Sequence, residues 1–289
     1  MTLPYMQYFV CICDMGSTSK AAEVLHVSQS ALSQTIKNLE QEYHVSLFTR
    51  TSKGLIPTEA GLLLKRHCQQ VLQSVSDMER EMKELVGREI GTVNLGVSTM
   101  LSGTVAPQVL ACVMDRLKLN LSLGNQFQLM KEMDAGRVDF VISILEDVKS
   151  MERSYRLICL GHAPPLVLCI SESNPIAGKE NPTLEELLEL PLIRMNNSHH
   201  ISKIFDNLGK KPNYVVSCNL ISAVQGMIRQ DIGVGFLGLD VARSCPGIRY
   251  FPVNALEPVD IYLICRPGVE KTRAGRDFLS LMHTFQLDV

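Results

Sequence analysis

The sequence predicts an α/β protein in three parts: a small N-terminal helical domain closed by a hairpin, one long helix, and a two-lobed α/β domain. Three observations predict it. Residues 3–43 show apolar positions at helical spacing, broken by short turns. Residues 64–85 carry an apolar seam whose steps alternate between four and three. From Thr92 onward, short β-like runs alternate with helical ones, the texture of βαβ units and a parallel or mixed sheet. The 289 residues are 46% apolar and 20% charged, enough to bury a core.

The first helix is expected over residues 3–14, with Tyr5, Phe9 and Ile12 facing inward, and Met15-Gly16-Ser17 ends it. A second short helix spans 18–25, capped by Ser17 or Thr18, with Ala21 and Ala22 where helices approach closely. His26-Val27 makes a turn, and Ser28 opens a third helix to Tyr43. Leu32, Ile36 and Leu39 form its narrow apolar stripe, while Gln29, Ser30, Ser33, Gln34 and Lys37 fall largely on another face. Those are hydrogen-bonding side chains suited to base edges in a major groove. Two short helices on a tight turn, the second polar outward, make a helix-turn-helix. A hairpin follows around Gly54, with Arg50 and Lys53 near its tip as a wing against phosphates.

Thr58 is expected to cap a long helix to residue 86. Its seam is Leu64, Cys68, Val71, Val75, Met78, Met82 and Leu85. A small domain has little chain to cover such a seam, so a second copy is the expected partner, giving a dimer with two reading helices.

Charge does not advertise DNA. The formal net charge is −2. Between residues 20 and 66, Lys20, Lys37, Arg50, Lys53, Lys65 and Arg66 face Glu23, Glu40, Glu42 and Glu59. That excess is slight, so few phosphate contacts per subunit and an oligomer are expected. No apolar run spans a bilayer and the N-terminus lacks a secretory pattern, which predicts a cytoplasmic protein without a membrane partner. The nine cysteines are scattered and lack zinc spacing, so reduced thiols and no metal are expected.

Residues 1–66 resemble the N-terminal domain of the LysR-type transcriptional regulators. The likeness is carried by residues 19–33 (Ser-Lys-Ala-Ala-Glu-Val-Leu-His-Val-Ser-Gln-Ser-Ala-Leu-Ser), by 36–40 (Ile-Lys-Asn-Leu-Glu), by Leu47-Phe48-Thr49-Arg50 and by Pro57-Thr58-Glu59-Ala60-Gly61. Ser17-Thr18 departs from the serine-aromatic pair common in the family. The resemblance implies a DNA-binding regulator, not an enzyme, with no cofactor. It implies promoter DNA, a homodimer or tetramer and a small-molecule effector as partners, with RNA polymerase allowed as another. DNA contacts fall on Ser28, Gln29, Ser30, Ser33, Gln34, Lys37, Arg50 and Lys53.

The expected divisions are a winged helix-turn-helix over 1–58, a linker helix and hinge over 59–90, and an effector domain over 91–289. Lobe one takes about 91–161 plus 266–289, and lobe two about 162–265. Strands are expected at 92–97, 118–123, 138–144, 164–170, 192–195, 214–218, 233–237 and 259–265. Helices fall between them, with a capping box at Thr183-Leu184-Glu185-Glu186 and caps at Asn219 and Thr272. Ligands in such sheets bind beyond strand C-termini. The polar turns 98–103 and 196–199 satisfy that, and the family resemblance, which implies a periplasmic-binding-protein-like domain, puts an effector between the lobes. Ser98, Thr99, Met100, Ser102, Asn196, Asn197, Ser198, His199 and Phe236 are the candidates, for a ligand expected to be an anionic metabolite. Asp139 and Gly233-Val234-Gly235 read as structural. Two alternatives stay open: a cysteine-based redox sensor of the same fold, with Cys245 the thiol to watch, and a cytosolic solute-binding module.

Overall fold

The computed structural model describes residues 1–52, 54–87, 91–145, 147–180, 182–195, 201, 204–206, 209, 211–253, 259–285 and 287, with side chains to residue 83 in the helix that ends at 87. The chain divides into two compact units, Met1–Ile90 with Asp134–Arg137, and Gly91–Met133 with Val138–Val289.

In the first unit, α1 (Leu3–Met15), α2 (Thr18–Leu25) and α3 (Gln29–Tyr43) precede a hairpin of β1 (Phe48–Thr51) and β2 (Gly54–Pro57), then α4 (Glu59–Gly87). Local chemistry sets the boundaries. Ser17 Oγ accepts from the Lys20 N–H and Ser28 Oγ from the Ala31 N–H, capping α2 and α3. His26 and His44 take left-handed conformations, both at φ 54°, and end those helices where glycine is the usual choice. Phe9, Leu39, Leu47 and Cys68 form one core cluster, and Ile12, Ala21, Ala22 and Leu32 another. The alanines let α2 lie against α1 and α3. A Cβ at Gly61 would come within 2.2 Å of the Leu47 carbonyl, so α4 can start against the hairpin only through glycine.

This packing corrects part of the expected seam. Cys68 is 2% exposed among Phe9, Leu39 and Leu47, and Leu64 packs on the same cluster. The first turns of α4 lie along α1, so these two side chains are spent inside the domain. Val71, Met78 and Met82 are exposed, the methionines at 57% and 55%, and Val75 is half-buried. The side chain of Leu85 lies outside the described residues.

The second unit holds two five-stranded mixed sheets. The first has the order β4 (Lys118–Gly124), β3 (Thr92–Ser98), β5 (Phe140–Ile144), β12 (Asp260–Cys265), β6 (Arg156–His162). Its β3 is parallel to β4 and β5, and β12 runs antiparallel to both its neighbours. The second has the order β11 (Ile248–Pro252), β7 (Leu166–Ser171), β10 (Val234–Gly238), β8 (Leu192–Met195), β9 (Tyr214–Cys218). Strand alternation feeds two cores per sheet: Phe140 and Ile142 face one cluster and Val141 the other, as do Leu168 and Cys169.

Three expectations change here. Strand β12 belongs to the first sheet, so the second lobe ends before residue 260. Strands β6 and β11 are absent from the strands the sequence predicts: neither has a clean alternation, and each is defined by a partner far away in sequence. Asn219 is not the cap of the helix Ile221–Arg229, whose N-cap is Leu220 without a side-chain bond. The capping box at Thr183 and Glu186 is present, and Thr272 Oγ1 accepts from the Gly275 N–H to open the last helix, Arg273–Thr284.

Candidate nucleic-acid interface and ligand cleft

Helix α3 presents Ser28, Gln29, Ser30, Gln34 and Lys37 exposed, with Ser33 half-buried beside them. Leu32, Thr35 and Leu39 hold the opposite face in the core. Thr35 is buried because its hydroxyl donates to the Ala31 carbonyl at 3.0 Å, a satisfied polar group within the helix. Gln29 Nε2 donates to Thr18 Oγ1 at 3.3 Å and to Ser33 Oγ at 3.5 Å, so its amide is held by both helices of the motif. Gln34 Nε2 donates to Asn38 Oδ1 at 2.8 Å. Both glutamines thus stand ordered on the outer face before any DNA arrives, which lowers the ordering entropy of a base contact.

The hairpin is fastened to this helix by Glu40, whose Oε1 accepts the Leu47 N–H at 2.8 Å and the Phe48 N–H at 3.4 Å. Arg50 and Lys37 are exposed, and neither forms an ion pair among the described residues. Lys53 lies outside the described residues. Lys65, counted in the local positive excess, is paired with Asp14 at 2.6 Å. The outer face of α3 is therefore mostly uncharged, with Lys37 its cation; in protein–DNA contacts generally, base contacts carry specificity and phosphate contacts position the helix.

In the second unit, a cavity lies where the two sheets meet, lined by Met100, Leu101, Thr104 and Ile144 from one side and by Met195, Ile221, Phe236 and Asp240 from the other. Ala163 and Pro164, in the crossover between the sheets, line it as well. With its open mouth it has a volume of about 490 Å³. Met100 and Phe236, expected from sequence, are on this wall. Ser98, Thr99 and Ser102 stand beside it, half-buried, and the Ser102 hydroxyl donates to the Thr99 carbonyl at 2.8 Å within the one-turn helix. Asn196, Asn197, Ser198 and His199 lie outside the described residues. Sequence reasoning missed Thr104, Ile221 and Asp240, which carry no motif and reach the wall only through the sheet arrangement.

Cys169 is buried in the cluster that holds Met195, with Met100, Ile221 and Cys245 packed against it. Burial pushes Cys169 and Cys265 up to about 12, far from the thiolate form at neutral pH. Cys245 is half-buried, with its Sγ 4.0 Å from the Pro246 carbonyl. No group of three metal-capable side chains occurs among the described residues, and no helix among them is long and apolar enough to cross a membrane.

Residues 3–62 match the family profile described as bacterial regulatory helix-turn-helix protein, lysR family, and residues 87–286 match the LysR substrate binding domain. The hydrogen peroxide-inducible genes activator of Pectobacterium carotovorum subsp. carotovorum is 26% identical over 280 residues, covering 93% of this chain and 91% of its own. A probable RuBisCO transcriptional regulator of Thalassiosira pseudonana is 24% identical over 289 residues, covering 94% of each. Among solved structures, the LysR family regulator CbnR superposes with a TM-score of 0.64 at 17% identity over 98% of both chains. A full-length OxyR variant from Pseudomonas aeruginosa gives 0.63 at 20% identity over 99% of this chain and 96% of its own. At such identities the structural matches speak for the fold, whereas the two profile matches together span nearly the whole sequence. A capped helix-turn-helix with an ordered polar reading face, one long helix, and two mixed sheets around a cleft meet here in a single chain, and that chain belongs to the LysR family of DNA-binding transcriptional regulators.

Proposed function

We propose that the protein reads a promoter site in the cytoplasm through α3, as a dimer or tetramer joined along α4, and that a small molecule in the cleft between its two sheets adjusts that binding. The observation that carries the reading is the ordered polar face of α3, where Gln29 and Gln34 are both exposed and both held by side-chain bonds. Gln29, Ser30, Ser33 and Gln34 read base edges; Lys37 and Arg50, with Lys53, hold phosphates. The exposed methionines of α4 supply the contact with a second copy. Promoter sites with two-fold symmetry then receive two reading helices at once. Ligand binding across the cleft shifts one lobe against the other and so changes the spacing of paired DNA-binding domains.

The relatives named as peroxide-inducible activators raise a cysteine-based reading. Its weight falls on Cys245, since burial keeps Cys169 and Cys265 protonated. Maleimide labelling of Cys245 before and after peroxide separates the two readings: unchanged labelling favours the small molecule.

Fluorescence anisotropy of the full chain against the fragment upstream of its own gene, and against a scrambled control, tests the regulator. A preference of about a thousandfold or more is expected. Equal, weak and salt-sensitive binding to both, with no site recovered from a random-sequence selection, counts against it.

A further inference from the structure

We propose that the cleft ligand is a small apolar molecule bearing a cationic amine, and that the Asp240 carboxylate receives that amine. This rests on the reading of the cleft as the effector site and reverses the anionic metabolite expected from sequence.

The wall chemistry carries the inference. Met100, Leu101, Ile144, Leu166, Met195 and Phe236 make the cavity an apolar one. An apolar wall favours a ligand whose body is hydrocarbon, because each part of its surface withdrawn from water adds to binding. Thr104 contributes the single side-chain hydroxyl among the described wall residues, and Asp240 the single charge. Among the described wall residues there is no cation to offset the lost hydration of a carboxylate or phosphate, and such a ligand would face Asp240 as a like charge.

Asp240 is itself placed as a receiver. It sits in the first turn of the short helix Leu239–Arg243, which follows directly from β10. No side-chain hydrogen bond or ion pair engages its carboxylate among the described residues. Its half-buried position on a low-dielectric wall strengthens an ion pair with an entering ammonium relative to one in open water. The Phe236 ring and the sulfurs of Met100 and Met195 are soft, polarisable groups that suit an aromatic or alkyl body beside such a head. Because Asp240 follows β10 while Met100 lies in the turn after β3 and Ile144 at the end of β5, a single amine ligand reaches residues carried by both sheets.

The test compares three isosteric probes, benzylamine, benzyl alcohol and benzoate, by isothermal titration calorimetry with the full-length protein. Benzylamine is expected to bind about tenfold or more tighter than either of the others, a difference of about 1.4 kcal/mol. Asp240→Asn is expected to bring benzylamine and benzyl alcohol within about twofold of each other, and Asp240→Lys to reverse the order in favour of benzoate. A wild-type preference for benzoate, equal affinities, no binding of any probe, or an amine preference that survives Asp240→Asn overturns the proposal. Anisotropy with upstream DNA is run on the same samples. Intact sequence-specific DNA binding with a failed amine preference removes the ligand class alone, and loss of DNA specificity in the wild type removes the regulator reading.

Discussion

The Asp139 carboxylate and the Arg266 guanidinium meet at 2.9 Å with 1% and 5% of their side chains exposed. The pair joins the approach to β5 to the exit of β12. Asp139 Oδ2 also accepts the Asn94 backbone N–H at 2.9 Å, and the Arg266 N–H donates to the Asp139 carbonyl at 3.0 Å. One carboxylate therefore ties β3, β5 and β12 together at one end of the first sheet. The Asp139 carboxylate is hydrogen-bonded beyond the pair, which offsets part of the cost of burying it.

Removing one partner strands the other charge in the core. Asp139→Ala is expected to lower the stability of the second unit by about 3–5 kcal/mol, read as a shift in the urea unfolding midpoint. The double variant Asp139→Leu with Arg266→Met is expected to lose less than the single. A single variant within about 0.5 kcal/mol of wild type defeats the assignment.

Thr18 supports Gln29 from the neighbouring helix, at the position where this chain departs from the pattern common in its family. Gln29→Ala should weaken discrimination at one base pair by about 1–3 kcal/mol. Thr18→Val, which keeps the shape and loses the bond, should weaken it by about 0.5–1.5 kcal/mol, with Thr18→Ser restoring it. Affinity for scrambled DNA should not move in any of the three. An unchanged operator preference in Thr18→Val sinks the supporting role.

The seam of α4 divides into a part packed in the domain core, Leu64 and Cys68, and an exposed part that includes Met78 and Met82. Met78→Lys combined with Met82→Lys should shift the protein toward monomer in sedimentation velocity, because each methionine withdrawn from water contributes about 1.5–3 kcal/mol. The folding of the N-terminal unit should be nearly unaffected. Leu64→Ala should do the reverse, destabilising that unit by up to about 2–5 kcal/mol with little effect on association. Identical behaviour of the two variants would mean the division is wrong.

Alkaline pH should unfold the protein by titrating its buried thiols. Burial raises Cys13, Cys169 and Cys265 from 9.0 to about 12 and Cys68 to about 11. A raised thiol binds its proton more tightly when folded, so its contribution is complete below 9.0 and is lost as pH climbs from there toward 12. The unfolding midpoint should fall between neutral pH and about 10.5, and Cys169→Ala should flatten that fall. A slope identical in the variant would assign the alkaline loss to other groups.

Short-range chemistry made much of this protein readable from its residues. Apolar period placed α1 to α4 to within a few residues, hydroxyl caps at Ser17, Ser28, Thr183 and Thr272 marked helix starts, and the ordered run from Ser19 to Ser33 identified the reading helix. Each of those signals is local, since capping and side-chain periodicity depend on neighbours three or four positions apart. Only the tertiary structure decided that β12 returns to the first sheet, that Cys68 faces Phe9 instead of a second copy, and that Met100 and Asp240 line one cavity from opposite sides. A seam states which face of a helix is apolar, not what covers it, and strand order depends on partners far apart in the chain, such as Tyr262 and Cys159. The charge on the described cleft wall belongs to this second kind: among those residues it is Asp240, without a motif, placed opposite Met100 by the meeting of two sheets.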